Sequence, residues 1–576
     1  MTTRRGVIRL SLAAGVLFAV ACGGSSSSST GTEVDVSGVF PAGTALREAY
    51  SGATLTVPAS GKLTLTQPPG TLLLLERDGA PATASFSWRN ATVYFVVTDR
   101  FYNGDPTNDG AYGRIKDGQS EIGTFHGGDF VGLTQKLDYL ADLGVTAIWV
   151  TPPVEQVHGW VGGGSAGDFQ HWAYHGYWAQ DFTRIDAALG TEAELKAFVD
   201  AAHARGIRVL LDVVMNHPGY GTMRDLADYV PGVLSSGWDT WTPGPGQNWF
   251  KYNDLFINYA SPDWAGWWGV DWIRAGLGGG YTGAGSDDYT SSLSGLPDFK
   301  TESTKVVSLP PFLTHKADTG AVAIAGATVR DYLVKWHTDW VRKLGIDGFR
   351  CDTAKNVELA SWAALKQAGV AALADWKAQH PADKLDDAPF FMVGEAFGHG
   401  PVRDAYYDNG FDALINFSFQ SVERANVGQW PLTDDAYAAI ATGLGDPTFN
   451  VMSYLSSHDT FLFFHGMGED RTKQNEAGTA LLLAPGAVQV FYGDESGRRF
   501  GPTGSDTTAG TRSDMNWGSV DTTVHDHWRK VATFRKRHPA VGGGTHQALT
   551  ATKAYAFSRT LGTGASQDAV VAIVTQ

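Results

Sequence analysis

From about residue 90 onward, short unbroken apolar runs alternate with stretches in which apolar positions recur three and four residues apart. The runs are Val93–Thr98, Val145–Val150, Ile207–Val214, Ile346–Asp352, Phe390–Glu395, Phe411–Phe417, Val451–Ser457 and Ala487–Tyr492. A strand that is apolar on successive residues is buried on both faces, as in a parallel sheet covered by helices. The stretches between them, Gly132–Leu143, Glu192–Arg205, Val329–Leu344 and Val357–Gln379, have the spacing of amphipathic helices. Strand and helix in alternation predict an α/β fold, a (β/α)8 TIM barrel. A doubly wound open sheet is the competing layout. Polar residues cluster just after several strands, which is what the top face of a barrel requires.

Two regions break this rhythm. Between the third and fourth strands lie roughly a hundred residues rich in Gly, Trp and Asp, too many for a plain loop and therefore an inserted subdomain at about 217–322. Ahead of the barrel, residues 33–88 read as short strands with turn signals, at Thr54–Val57, Lys62–Thr66 and Thr71–Glu76. After His546 about thirty residues remain, enough for strands at Ala554–Arg559 and Ala569–Val574 but too few for a stable sandwich. The expected organisation is a leader at 1–22, a Ser/Gly linker at 23–32, a β segment at 33–88, the barrel at 89–545 and closing strands at 546–576.

Composition narrows the function. A chain of 576 residues exceeds one compact core. A net charge of -16 argues against nucleic acid, whose binding needs clustered Lys and Arg. The 19 Trp residues are many, and Trp160, Trp172, Trp178, Trp264, Trp267 and Trp268 fall in loop-like stretches. Their flat faces suit sugar rings, and they suit plain packing equally well. Arg4, Arg5 and Arg9 precede an apolar run to Ala21 and then Cys22, followed by a Gly/Ser tether. That pattern predicts export. Ala19-Val20-Ala21-Cys22 is either a lipoprotein cleavage box, with Cys22 as a membrane anchor, or a simple signal with an incidental Cys. Cys351 lies in an apolar strand as a small core residue. No later stretch is long and apolar enough to span a membrane.

The candidate chemistry sits at four strand ends: Asp212-Val213-Val214-Met215-Asn216-His217, Gly348 to Lys355 with Arg350 and Asp352, Gly394-Glu395-Ala396-Phe397, and Ser457-His458-Asp459. A single Asp at a strand end usually caps a turn. Four such segments in order, together with Gly127-Gly128-Asp129-Phe130, His158-Gly159-Trp160-Val161, Tyr174-His175-Gly176-Tyr177 and Tyr492-Gly493-Asp494-Glu495, resemble glycoside hydrolase family thirteen, the α-amylase family. The likeness runs from residue 92 to 576 and is nearest to bacterial periplasmic members. It implies retaining hydrolysis of α-1,4-glucosidic bonds in maltodextrins, or glucan transfer by a cyclodextrin-acting relative, whose carboxylates are the same. Asp352 would be the nucleophile, Glu395 the general acid and base, and Asp459 the third carboxylate. Arg350, His217, His458, Tyr177, Asp212 and Lys355 would bind substrate or support the carboxylates. Asn356 stands where many members have His. A barrel of this family without a working site would lack these carboxylates, which disfavours a pure binding protein.

The resemblance also implies Ca2+. From composition alone, Asn103-Gly104-Asp105-Pro106-Thr107-Asn108-Asp109 is a hydrogen-bonded turn or a cation loop. Family likeness makes Asn103, Asp105, Asn108, Asp109, Gly127 and Asp129 one site, and Asn216, Asp298 and the Asn356 carbonyl another. The family usually closes with an all-β domain. Here Leu46–Gly52 and Lys62 to Gly70 resemble its closing strands, so a circular permutation is expected, with an independent β module as the alternative. The expected protein is an exported monomer acting on α-glucans, periplasmic, extracellular or an outer-membrane lipoprotein.

Overall fold

The computed structural model describes residues 31–80, 84–116 and 121–576, so Cys22 and the leader lie outside the described residues. The described residues form two compact units, one of residues 84–544, the other of residues 31–80 together with Thr545–Gln576.

In the larger unit eight parallel strands close into a barrel. They are β1 (Thr92–Val96), β2 (Ala147–Val150), β3 (Arg208–Val213), β4 (Gly348–Cys351), β5 (Phe391–Gly394), β6 (Ala413–Asn416), β7 (Val451–Tyr454) and β8 (Ala487–Phe491). Neighbours pair in chain order, and β8 returns to β1 through Val488 opposite Thr92. All eight apolar runs seen in the sequence correspond to these strands, seven of them trimmed at their ends and the first starting one residue earlier, at Thr92, and every strand residue is buried. The open-sheet layout is thereby excluded. The helices follow their sequence signals as well. Val329–Leu344 starts on a capping box between Thr328 and Asp331 and stops at Gly345, whose φ of 75° ends the helix at little steric cost. Glu192–His203 starts on the same device at Thr191 and Glu194. The stretch expected as one helix at 132–143 is two, Phe130–Gln135 and Leu137–Leu143, broken at Lys136.

Two excursions rise from the strand ends. After β2 the chain forms an antiparallel pair, Val154–Gln156 with Ala179–Ile185, and a hairpin, Trp160–Gly163 with Phe169–Trp172. The sequence pattern does not separate these strands from loop. After β3 come short helices at Met223–Tyr229, Tyr252–Phe256 and Pro311–His315, and a two-residue ladder of Ile273–Arg274 with Asp298–Phe299. Trp172, Trp178, Trp264, Trp267 and Trp268 are buried there. A region poor in regular structure can bury little backbone in ladders, so these large rings fill its interior.

The smaller unit is antiparallel throughout. Its larger sheet runs in the order Thr545–Ala548, Ala554–Leu561, Asp568–Thr575, Leu72–Arg77, Ala45–Glu48, Thr54–Thr56. The junction is the pairing of Asp568–Thr575 with Leu72–Arg77, in register Ile573 with Leu73 and Val571 with Leu75. A three-stranded sheet places Thr32–Asp35 between Ala551–Thr552 and Lys62–Leu65. Val34, Leu46, Leu63, Leu73, Leu75, Val571 and Ile573 form one core drawn from both chain segments.

Candidate active site

Asp212, Arg350, Asp352, Glu395 and Asp459 stand at or just beyond the carboxyl ends of β3, β4, β5 and β7. Parallel pairing aligns them: Asp212 lies opposite Arg350, and Cys351, just before Asp352, lies opposite Gly394, just before Glu395. Thr353 takes a left-handed φ of 46°, uncommon for a β-branched residue, and turns the chain sharply just after Asp352. Its N–H donates to Glu395 Oε2 at 3.3 Å.

Arg350 is the hub. It is fully buried, and its Nη1 donates to Asp352 Oδ1 at 2.8 Å and to both oxygens of Asp212 at 3.0 and 2.9 Å. Its Nη2 reaches Glu395 Oε2 at 2.6 Å. A planar guanidinium serves several acceptors at fixed angles, so it sets their mutual geometry as well as their charge. Burial drives the Glu395 carboxyl up to about 7, opposed by Arg350 and reinforced by Asp352 and Asp459. Burial raises Asp352 too, again against Arg350. At Asp459 burial also works upward, but the His458 ring and the Arg512 guanidinium outweigh it and hold the carboxyl well below the usual range. Burial also raises Asp212 to about 7 against the pull of Arg350, so Asp459 is the member of the cluster held ionised while the carboxyls around Arg350 are pushed toward keeping a proton.

Asp212 accepts from the Tyr177 hydroxyl at 2.7 Å and from Trp149 Nε1 at 3.0 Å, besides Arg350. It makes no bond to His217, whose Nε2 bonds the Tyr177 carbonyl at 3.2 Å and whose Nδ1 meets the Asn216 amide. Burial lowers the His217 imidazole to about 4 and lowers His458 as well, so both rings are held toward the neutral form. Tyr177 stacks on His458 with centroids 5.3 Å apart. Lys355 stands apart from this group. It is exposed and pairs with Asp288 at 3.2 Å, while the Asn356 amide donates to the Asp288 carbonyl.

Two members of the site carry no strand-end signal. Arg512, from a turn after β8, donates to Asp459 Oδ1 at 2.6 Å and to the His458 carbonyl at 3.0 Å. Trp149, inside β2, braces Asp212. In sequence, Arg512 is one basic residue in a Gly/Ser/Thr-rich loop and Trp149 one apolar residue in an apolar run.

Part of each expected cation-ligand set lies together: Asn103, Asp109 and Gly127 in one place and Asn216 and Asp298 in another, whereas the contact made by Asn356 is with Asp288. A Cβ on Gly127 would lie 2.3 Å from Asp109 Oδ1 and 2.5 Å from Asn103 Nδ2, so backbone and both side chains converge there. The buried side-chain oxygens of Asn103 and Asn108 have no hydrogen-bond partner. Asp129, by contrast, caps Phe130–Gln135 and accepts from the N–H groups of Gly104, Asp105 and Gly132; Asp105 bonds Thr107 and Asp109 pairs with Lys116. At the second place Phe299 N donates to the Asn216 carbonyl at 2.8 Å, and the buried Oδ1 atoms of Asn216 and Asp298 both lack a partner. The other oxygen of Asp298 takes Arg274 Nη1 at 2.7 Å. Among the described residues, no three His, Cys, Asp or Glu side chains are arranged to hold a metal.

The family described as "Alpha amylase, catalytic domain" matches residues 95–260 and 316–547. The chain is 52% identical to a periplasmic alpha-amylase of Escherichia coli over 544 residues, covering 91% of this chain and 79% of that one. It is 26% identical to a cyclomaltodextrin glucanotransferase of Niallia circulans, over 92% of this chain and 64% of the relative. The crystal structure of an alpha-amylase from Geobacillus thermoleovorans superposes with a TM-score of 0.55 at 21% identity, over 83% of this chain and 86% of that one. That likeness speaks to the fold.

Proposed function

The chain belongs to the α-amylase family and is a glycoside hydrolase; from that premise we propose that Asp352, Glu395 and Asp459 carry out its retaining cleavage of α-1,4-glucans. The observation that carries the assignment is the single guanidinium of Arg350 shared by Asp352 and Glu395. Acceptors on the two ends of one guanidinium stand close together, which favours the ~5–5.5 Å spacing of a retaining pair over the wider inverting one.

In the first step the Asp352 carboxylate attacks the anomeric carbon while the bond to the leaving oxygen breaks. Glu395 gives that oxygen its proton, and a glycosyl ester on Asp352 results. In the second step Glu395, now an anion, takes a proton from water; the water oxygen attacks the same carbon and Asp352 leaves. Two displacements return the original configuration. A carboxyl at about 7 suits both duties of Glu395. Asp459, ionised by its contacts with His458 and Arg512, grips sugar hydroxyls. Tyr177 offers its ring to the sugar, and His217 and His458 contribute neutral imidazole hydrogen bonds. Lys355, at the rim, serves the leaving-group side.

Calcium fits the orphaned oxygens of Asn103, Asn108, Asn216 and Asp298, since a hard cation takes oxygen ligands from amides, carboxylates and carbonyls alike. Gly127, Asp109, Asp105 and Asp129 would complete the first set, and the Asn356 carbonyl the second. When bound, the ion would brace the loop after β1 and the base of the inserted subdomain. Export is supported by the periplasmic relative. The sheet shared by Leu72–Arg77 and Asp568–Thr575 supports reading the smaller unit as a circularly permuted closing domain.

A product time course on maltoheptaose, followed by proton NMR, tests the assignment. We expect linear shorter products whose first-released anomer is α, and a loss of at least about a thousandfold in kcat for Asp352→Asn. A β anomer appearing first, or near-normal turnover of Asp352→Asn, defeats it. Cyclic or lengthened products would indicate transfer instead.

A further inference from the structure

A cavity of about 540 Å3 opens in the inserted subdomain, beside the hairpin Trp160–Gly163 and Phe169–Trp172. Its size is that of a small-molecule site. No charged side chain lines it, in a chain of net charge -16 whose barrel mouth is crowded with carboxylates. A phosphate, nucleotide or carboxylate ligand would find no cation there. What lines it instead is aromatic: Tyr220, Phe250, Tyr252, Tyr259, Trp264 and Trp267. The tyrosine hydroxyls, Asn253 and Ser294 add neutral hydrogen-bonding groups. Flat apolar faces edged by neutral donors and acceptors match a pyranose, which has apolar C–H faces and hydroxyls around its rim.

The rings are fixed before any ligand arrives. Phe250 is 37% exposed, yet a Cβ on Gly162 would lie 2.4 Å from its ring and one on Gly167 2.6 Å. Two glycines thus form a close-fitting floor beneath an exposed aromatic ring. Tyr259, 42% exposed, stacks parallel to Trp264, and its hydroxyl bonds Asn253, whose amide in turn donates to the Phe250 carbonyl at 2.9 Å. An exposed ring held this way loses little freedom on binding.

The cavity also shares a wall with the barrel mouth. Tyr220, its hydroxyl bonded to the Ser294 carbonyl, packs edge-on against Trp178 at 5.0 Å. Trp178 belongs to the cluster of Val157, Val161, Ala173 and Leu296 against which Tyr177 packs. Tyr177 is the ring bonded to Asp212 beside Arg350. We propose that this cavity is a second α-glucan-binding site, in which Phe250 and Tyr259 hold glucose units of the same chain that is cut at the barrel. The proposal rests on the assignment of the active site above.

Substitutions at Phe250 and Tyr259 test it by comparing amylose with a short chromogenic maltotrioside. For Phe250→Leu, Phe250→Ala and Tyr259→Ala we expect KM on amylose to rise about tenfold, with kcat/KM on the trioside changed less than twofold. Phe250→Tyr, which keeps a flat ring, should restore the amylose KM; Phe250→Leu, which keeps the packing volume, should not. Equal losses on both substrates, or an unchanged amylose KM, overturn the proposal. Should the unaltered enzyme release nothing from either substrate, the active-site assignment fails by itself. Calorimetry of maltoheptaose with the unaltered chain and with Phe250→Leu then decides the cavity: weaker binding in the variant upholds it, equal binding or none in the unaltered chain overturns it.

Discussion

Arg350 Nη2 lies 2.6 Å from Glu395 Oε2, so the carboxyl proposed as proton donor shares its guanidinium with Asp352, the proposed nucleophile. The contact acts downward on Glu395, and burial with two neighbouring carboxylates acts upward and wins. The position of Glu395 near 7 is therefore a balance, and it can be shifted from either side.

Removing the guanidinium tilts that balance. Arg350→Lys keeps a positive charge but cannot span both carboxylates, and we expect kcat to fall by ~10²–10³. Loss of the downward pull should raise both Glu395 and Asp352, moving the whole pH profile of kcat/KM to higher pH. A profile that merely scales down without moving would show that Arg350 has no hold on these carboxyls.

In the unaltered enzyme, kcat/KM should be bell-shaped. The acid limb marks ionisation of Asp352 and the alkaline limb the loss of the Glu395 proton near 7. A rate constant flat from pH 6 to pH 9 (bounds chosen to bracket that limb) would remove Glu395 as the acid.

Glu423, buried in the helix Phe417–Asn426, bonds only the Thr433 hydroxyl through Oε1, while its Oε2 has no partner. Burial pushes its carboxyl up to about 7. Between the ordinary carboxylate value and 7 the folded state holds the proton that the unfolded state releases. Its contribution to stability is therefore full at low pH and lost as pH rises through 7. Glu423→Gln removes that penalty. We expect its Tm to match the parent near pH 5 and to exceed it by ~3–6 °C near pH 8.5, read by calorimetry.

A strong chelator should lower Tm by roughly 5 °C or more if calcium bridges the orphaned oxygens. Asn216→Ala and Asp298→Asn should each melt lower in calcium and respond less to the chelator. An unchanged Tm counts against both sets of ligands.

Leu75 lies opposite Val571 in the ladder that joins the two segments of the smaller unit. Leu75→Ala should cost ~2–5 kcal/mol there. Limited proteolysis should then cut residues 33–80 faster than the barrel, and equal protection in the variant would contradict the shared core.

The barrel was legible because its strands are buried on both faces. An uninterrupted apolar run such as Ile207–Val214 has few other destinations, and the four strand-end motifs announce the carboxylates. The hairpin Trp160–Gly163 with Phe169–Trp172 was not legible: its Gly-rich strands lack alternation, and their pairing is decided by packing against distant residues. Arg512 was hidden for a related reason. A contact 53 positions away in the chain leaves no periodic trace, and only the closed barrel brings the loop after β8 over β7. The tryptophans were ambiguous in sequence because the same ring serves a core and a sugar. The exposed rings that face a cavity are instead Phe250, one residue after a Trp, and Tyr259, both otherwise unremarked.

The ladder between Leu72–Arg77 and Asp568–Thr575 has a consequence in time. Thr71 N donates to Thr575 Oγ1 across 504 positions of sequence. At synthesis rates of ~5–20 residues per second, a ribosome needs roughly half a minute to a minute and a half to supply the second strand after the first. Throughout that interval the leucines at 72–75 have no partner for their edge, while the barrel between them can already close. The smaller unit is thus the last part of the molecule able to fold, and until it does, a four-leucine strand edge is open to chaperones, to export factors or to a neighbouring nascent chain.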